Sequence, residues 1–466
     1  MKNKNIDASK KSVTSPRLLA LDVLIRVEGG QYANIALDTA LGRHELSPED
    51  KALFTSLVYG VLERRVTLDF ILSQFSARKL SDVDAQTLCA LRMGLYQLVY
   101  LDRVPDFAAI NESVAVALRK SSGFVNAVLR AYLRSVEGKK RETHFTPADF
   151  ADRYSALADK PNLARSVAYG LPLPLAEKFI AAFGEEKAER VMAAFAQRPP
   201  ITLRVNTLRT TVGAVKNSLS KQGFSVSDGL YLDSTLRLDK GGVFDGDEFK
   251  NGHIFVQDEA SQLCVEVLGA QAGELVIDTC SCPGSKAFGC AIRMENSGEI
   301  FSFDLHESKL SLVQKGAKRL GIDIIKTQRR DARDPDKSLI EKADRVLCDV
   351  PCSGLGVISK KPEIRGKDLT EAAKLPAIQR EILEQSAKYL KRGGVLVYST
   401  CTLLPEENGA VVSDFLKNHP EFCAVDFEFS PRRQGLSAIR SERGCITLTP
   451  DEYGTDGFFI AKLKRL

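Results

Sequence analysis

The residues of this chain best suited to chemistry are cysteines and aspartates that close short β-rich runs. DRVLCDV leads into Asp349, Val350, Pro351, Cys352, Ser353 and Gly354, and GVLVYST leads into Cys401 and Thr402. A thiol becomes a nucleophile when a nearby cation or helix N-terminus lowers its pKa below about 8.5. A single free cysteine reads as a small inert hydrophobe of a core. Two of them at matching strand ends, beside a carboxylate, read instead as a thiol site. An earlier strand-like run, ELVIDTC, enters the loop Cys280, Ser281, Cys282, Pro283, Gly284, Ser285 and Lys286. Small side chains there let a ligand approach the backbone, and the helix that follows offers free N–H groups to a carboxylate or phosphate. A plain turn would read the same way, and the dinucleotide pattern G-x-G-x-x-G is missing. Asp304 closes EIFSFDL, where a carboxylate can accept both hydroxyls of a ribose or simply cap a helix. Asp331, in QRRDARD, reads by itself as part of a solvated charge cluster.

Ten cysteines are scattered through 466 residues, several inside apolar runs, which is not the regular spacing of a secreted disulfide framework. Reduced thiols in the cytoplasm are the simplest expectation. Cys280 and Cys282 lie too close together, and Cys348 and Cys352 too far apart, for the two-residue spacing usual in zinc sites, so no metal is expected. No apolar run is long enough to span a bilayer, and no membrane partner is expected. The basic opening MKNKNIDASKKSVTS lacks the apolar core of a secretory signal and reads as a disordered lead. Residues 1–145 carry 21 Lys and Arg against 16 Asp and Glu, so the whole formal excess of +5 sits in this N-terminal third. That bias hints at a polyanionic partner, although a bias this small also serves solubility alone.

The elements that must position these residues follow from periodicity. From Pro16 to about Arg134 apolar residues recur at three- and four-residue spacing, as in LLALDVLIRV and LCALRMGLYQLVYL, which predicts an all-helical bundle. Ser81 is the expected start of one helix and Pro105 closes it. Prolines punctuate short helices between about 143 and 200. After Gly241 five strands are expected, ELVIDTC, EIFSFDL, IIKTQRR, DRVLCDV and GVLVYST. Between the second and third lies a helix with Leu310, Val313, Ala317 and Leu320 on one face and Gly321 as its stop. Another carries Ile378, Ile382 and Leu390 and ends at Gly393-Gly394. The alternation implies an α/β doubly wound sheet, and CITLTPDEYGTDGFFIAKLK adds an antiparallel pair. Ligands of such a sheet bind at the carboxyl ends of its strands, where these cysteines and aspartates fall.

The phrases DTCSCPGSK, CDVPCSG and YSTCTLLPEEN resemble the cofactor, proline-cysteine and threonine-cysteine loops of the RNA cytosine-5 methyltransferases. Arg204-Val205-Asn206, Val256-Gln257-Asp258 and Asp456-Gly457-Phe458-Phe459 match that family's order. Upstream, DKALFTSLVYGVLERR, LRMGLYQLVYLDRVP and GFVNAVLRAYLR resemble the antitermination factor NusB. Together the modules are similar to the RsmB (Sun, Fmu) family of 16S ribosomal RNA methyltransferases, from about residue 14 onward.

The resemblance implies a NusB-like RNA-binding helical domain at 14–142, linker helices and a small RNA-binding subdomain at 143–240, and an S-adenosylmethionine methyltransferase domain at 241–466. It implies 16S ribosomal RNA as partner and S-adenosylmethionine as cofactor, held by residues 280–286 (Cys280, Ser281, Cys282, Pro283, Gly284, Ser285, Lys286) with Asp304, Asp331 and Asp349. Cys401 would add to carbon 6 of a cytosine, Asp349 would support the charge that develops, and Cys352 would assist loss of the carbon-5 proton. Lys286 would hold Asp349 or help lower a thiol pKa. The family loop usually reads C-A-A-P-G-G-K-T, so Ser281, Cys282, Ser285 and Ala287 are departures that stay small and are expected to preserve cofactor binding with altered contacts. Gly366, after PEIR, stands where the family commonly has tryptophan, which puts RNA contacts near that loop in question.

Overall fold

The computed structural model describes residues 15–137, 145–239 and 241–466. The N-terminal lead up to residue 14 and the expected boundary at 142/143 lie outside them. The chain forms two compact units, Met1–Ala196 with Ile358–Gly366, and Gln197–Val357 with Lys367–Leu466.

The first unit is helical. Ala85–Tyr100 lies at its centre, with Cys89, Leu91, Met93, Leu95 and Leu98 buried around its circumference, as a helix surrounded by others requires. Its cap is Asp84, whose carboxylate accepts the Thr87 N–H at 2.9 Å, rather than the expected Ser81, which lies in a short 3-10 turn. Pro105 caps the following helix, Asp106–Val116. Helices pack closely where side chains are missing: a Cβ at Gly60 would lie 2.0 Å from the Tyr96 ring. The proline-punctuated helices Pro147–Arg153, Pro161–Tyr169, Leu173–Phe183 and Glu185–Phe195 belong to the same unit.

Arg365, from the inserted segment 358–366, ties three helix ends together. One guanidinium nitrogen, Nη1, donates to the carbonyls of Glu63 at 2.6 Å, Tyr169 at 3.2 Å and Gly170 at 3.3 Å, and Nη2 donates to that of Phe195 at 3.1 Å. These are the C-terminal ends of Pro48–Glu63, Pro161–Tyr169 and Glu185–Phe195, where helix dipoles favour a cation. Burial lowers its pKa to about 10, so it stays charged at neutral pH. Beside it, a Cβ on Gly366 would lie 2.8 Å from Arg65 Nη2, so a tryptophan here would have to displace that guanidinium.

The second unit holds two main sheets. The smaller pairs β1 (Ile201–Val205), β2 (Val226–Asp228), β3 (Thr235–Leu238) and β4 (Ile254–Val256) in the order β2-β3-β1-β4. Asn206, next after β1, donates from its side-chain amide to the Gly252 and Leu320 carbonyls, both at 2.9 Å, and Asp258 caps the helix Glu259–Leu268. The larger sheet contains β5 (Leu275–Asp278), β6 (Glu299–Asp304), β7 (Ile325–Arg329), β8 (Ala343–Asp349), β9 (Leu390–Thr400) and β10 (Phe422–Ala424), a separate short pair β11 (Glu428–Phe429) and β12 (Ile439–Arg440) standing apart from it. It ends with β13 (Cys445–Leu448) and β14 (Phe458–Arg465). Its order is β10-β14-β9-β8-β5-β6-β7, with β13 also on β14. Strands β5 to β9 are parallel, and β14 runs antiparallel to β9 and β13. The helix expected to run to Leu390 stops at Ala387, and Leu390, Gly393 and Gly394 lie within β9. No helix of the described residues is long and apolar enough to cross a membrane.

Arg365→Ala would leave helix-end carbonyls of the first unit without their donor and should lower its stability by about 3 kcal/mol. Arg365→Lys should recover only part of this, because an ammonium keeps the charge but loses the fork. Thermal unfolding followed by circular dichroism checks both. Unchanged melting of the alanine variant would refute the cap.

Candidate active site

Strand order reverses at β5, which lies between β8 and β6, and the loops after β5 and β8 leave the sheet there. The β5 loop is held by backbone bonds from Thr279 N to Leu347 O, Ser281 N to Phe303 O and Gly284 N to Ser281 O. Gly284 has φ +103°, and a Cβ on it would meet the Phe288 ring at 2.7 Å, so the turn into the helix Ser285–Arg293 needs glycine twice over. No side chain caps that helix.

The Asp278 carboxylate and the Ser281 hydroxyl are buried close to each other without a hydrogen bond of good geometry, the Ser281 hydroxyl and the Cys280 N–H giving the carboxylate weak support. Burial, and then the Asp349 carboxylate, push the Asp278 pKa up to about 7. Pro283 is exposed, Gly284 buried, and Ser285 half-buried. Cys280 is half-buried, with its thiol pKa pushed well above the ordinary value by burial and the neighbouring Cys348. Burial and Asp304 raise Cys282 to about 12. These thiols are thereby kept protonated and un-nucleophilic.

Lys286 reaches from the helix start to Asp349 at the end of β8, Nζ to Oδ2 at 2.5 Å. Burial alone would push the ammonium toward neutrality, but Asp349 and then Cys264 outweigh it, and its pKa rises. The other oxygen of Asp349 accepts the Ser399 hydroxyl at 2.7 Å, and the Phe458 ring centroid lies 5.2 Å from Lys286 Nζ. The carboxylate is thus fixed from two sides.

Cys352 and Cys401 leave adjacent strands and bring their sulfurs to 3.0 Å. Contact with Cys401, then burial, hold the Cys352 pKa well above the usual thiol range. Two thiolates at that distance would repel strongly, so the two cannot ionise together.

Asp304 and Asp331 are placed differently. Asp304 gives one oxygen to the His306 N–H at 2.9 Å and ends β6 half-buried. Both oxygens of Asp331 are taken by Arg333, at 3.0 and 2.7 Å, which lowers its pKa. The cofactor loop, Asp349, Lys286 and the two thiols therefore converge, while Asp331 is engaged with its own neighbour. Sequence reasoning assigned no role to Asp278, Glu407, Gln379 or Asn408. Asp278 could have been found as the acidic residue closing β5. The other three look like ordinary surface polar residues until tertiary burial is known. No cluster of three or more His, Cys, Asp or Glu among the described residues is arranged to hold a metal ion.

The donor set fits S-adenosylmethionine: orphaned buried acceptors for a cationic group, a glycine turn that a Cβ would fill, and an uncapped helix start. Family models match the NusB family at residues 14–134, a ferredoxin-like domain of RsmF/B methyltransferases at 171–244, and 16S rRNA methyltransferase RsmB/F at 265–464. The chain is 35% identical to the probable ribosomal RNA small subunit methyltransferase B of Bacillus subtilis, covering 97% of this chain and 99% of the relative. It is 32% identical to ribosomal RNA small subunit methyltransferase B of Klebsiella pneumoniae, covering 97% and 99%. Among solved structures, PH0851 aligns over 98% of this chain and 100% of its own at 25% identity and a TM-score of 0.77. A methyltransferase homolog from Pyrococcus horikoshii aligns over 66% of this chain and 100% of its own at 28% identity and a TM-score of 0.57. Thiol pair, cofactor loop, sheet order and full-length similarity agree that this chain belongs to the RsmB/F family of S-adenosylmethionine-dependent 16S ribosomal RNA methyltransferases.

Proposed function

We propose that the protein methylates carbon 5 of a cytosine in 16S ribosomal RNA through a covalent adduct between Cys401 and carbon 6. The observation that carries this reading is the 3.0 Å contact of Cys352 and Cys401 beside the fixed carboxylate of Asp349. Carbon 5 of cytosine is too poor a nucleophile to take a methyl group directly, so a thiolate must first add at carbon 6 and make carbon 5 enamine-like. The likeness of YSTCTLLPEEN to the threonine-cysteine loop of the RNA cytosine-5 methyltransferases assigns the attack to Cys401 and leaves Cys352 as its partner. As the thiolate adds, negative charge builds on the ring and N3 takes up a proton from solvent, and Asp349, oriented by Lys286 and Ser399, accepts the hydrogen bond of that N3–H. Bound S-adenosylmethionine supplies an electrophilic methyl on a positively charged sulfur. Residues 280–286 hold it, with Asp278, Asp304 and Asp349 as acceptors, and Asp331 joins them by releasing Arg333. Once Cys401 has become a thioether its charge is gone, Cys352 ionises more readily, and it can take the carbon-5 proton.

The cytosine must leave any stack to reach both thiols, so an exposed or weakly paired base suits the site. The likeness to NusB assigns the helical unit to docking the RNA backbone. All ten cysteines are free, which suits work in a reducing, cytoplasmic compartment.

Asp304→Ala should weaken S-adenosylmethionine binding by about 1.5–3 kcal/mol, through loss of a charged acceptor for the ribose. Unchanged affinity in calorimetry would reduce Asp304 to the cap of His306. Since a cationic ligand favours the ionised form of Asp278, and that carboxyl titrates at about 7 in the free protein, cofactor affinity should fall as pH drops below 7. Asp278→Asn should flatten this dependence, and titrations at pH 6 and 8 check it. Cys401→Ala should abolish methylation and any covalent adduct. Cys352→Ala should still add and transfer but stall at elimination, so a protein–RNA species resistant to denaturing gels accumulates. Were the trapped species to form with Cys401→Ala and not with Cys352→Ala, the thiol roles would be the reverse.

A further inference from the structure

The end of the phrase YSTCTLLPEEN has no part in the chemistry so far, yet Glu407 and Asn408 are among the most deeply buried polar residues of the molecule, at 0% and 1% exposure. Glu407 Oε2 accepts the backbone N–H of Ser353 at 2.9 Å and the side-chain amide of Gln379 at 2.8 Å. The same Gln379 amide donates to the Pro351 carbonyl at 2.9 Å. Pro351 and Ser353 flank Cys352, so the peptide on each side of that cysteine is held from one carboxylate. The Ser353 hydroxyl meets that of Thr402 at 2.7 Å. On the other loop Asn408 donates to Thr402 O at 3.0 Å and accepts the Thr400 hydroxyl, which brackets Cys401. Tyr398 donates to the Glu407 carbonyl at 2.6 Å and fixes the turn itself.

We propose that Glu407 is a positioning residue that, through Gln379, sets the Cys352 thiol for removal of the carbon-5 proton. The proposal rests on the two-thiol reading above. In that step the Cys352 thiolate takes the proton from carbon 5, the C–H electron pair becomes the carbon 5–carbon 6 double bond, and Cys401 leaves carbon 6 as a thiolate. Cys352, which gave its own proton to solvent on ionising after adduct formation, finishes as a thiol, so the net proton goes to solvent and no further reactant is consumed. The base must lie within reach of one proton, and a clamp on both flanking peptides supplies that precision. Glu407 also acts through its charge. The ionisable groups facing Cys352 are Cys401, Glu407 and the Tyr398 phenol, with Lys367 bound to the adjoining Ser353 carbonyl at 2.7 Å. When adduct formation neutralises Cys401, the buried carboxylate remains and keeps Cys352 a stronger base than it would otherwise be.

The test uses the full-length protein, 16S ribosomal RNA and S-adenosylmethionine labelled in its methyl group, reading both methyl transfer and the denaturation-resistant protein–RNA species. E407A should accumulate that species with the methylated base in it, at least fivefold above wild type and in the manner of C352A, with cofactor affinity unchanged. E407Q keeps an acceptor for Ser353 N and the Gln379 amide, so it should release product. Loss of the negative charge lowers the Cys352 pKa in the adduct, so the rising limb of its release rate should move to lower pH by about one unit. Release by E407A at the wild-type rate overturns the proposal while leaving the thiol reading intact, provided C352A still traps. Should E407A fail to fold, E407Q decides: a limb that does not move overturns the role. If C352A itself traps nothing, the two-thiol reading falls and this proposal falls with it.

Discussion

The site depends on the parallel, in-register pairing of β8 with β9. Their register sets Asp349 opposite Ser399, so that the hydroxyl of one strand hydrogen-bonds the carboxylate of the other and the chains beyond them emerge side by side. Cys352 follows three residues after Asp349 and Cys401 two after Ser399, which is how two thiols distant in sequence come into contact. Because side chains alternate faces along a strand, a slip of one residue would turn Asp349 and Ser399 away from each other. The pairing of β9 with β14 locks the register from the other side. Beyond its end, Gly356 N donates to Cys401 O at 2.9 Å and Gly457 N to Gly356 O at 2.8 Å. A Cβ on Gly356 would lie 1.9 Å from the Gly457 carbonyl. Three backbone segments meet there with room for no side chain, and that contact fixes the loop carrying Cys352 against the one carrying Cys401.

Those strands are legible because short β-branched runs are a local signal, and the five expected runs each overlap a strand of the parallel sheet. The same local logic misread the approach to β9. Gly393-Gly394 looks like a helix stop, but Gly394 sits inside the strand, where a Cβ would lie 2.9 Å from the Asp344 carbonyl of the neighbouring strand β8. The glycine is there for close backbone approach. Ser81 and Asp84 compete as caps with equal propensity, and only the helix phase decides for Asp84. Glu407, Asn408 and Gln379 carry no local sign of burial at all. Their surroundings come from loops and a helix that meet only in the folded chain, so the sequence phrase announces the motif but not the clamp. Arg365 is similar: its partners are carbonyl groups, which every residue has, and no side-chain pattern predicts that three helix ends converge on it.

The distribution of buried charge gives the site its direction. Among the groups described there, Lys286 neutralises Asp349, and Glu407 spends its charge on the N–H of Ser353 and the amide of Gln379. Asp278 is buried with only weak support from the Ser281 hydroxyl, the Lys286 charge and the Cys280 N–H. Burial, and then the neighbouring Asp349 carboxylate, outweigh that support, which is why its pKa rises to about 7. The carboxylate with the least support therefore lies on the cofactor side, beside the β5 loop, whereas on the thiol side one oxygen of Glu407 is held by Ser353 and Gln379. A ligand that brings a fixed positive charge to the β5 loop would complete that balance, and S-adenosylmethionine carries one on the sulfur whose methyl group is transferred. The thiol side has the opposite requirement, since the adduct step removes a negative charge from Cys401 and needs no new cation. Cofactor capture and base activation are thus separable electrostatic tasks, performed by different carboxylates around the one ion pair of Lys286 and Asp349.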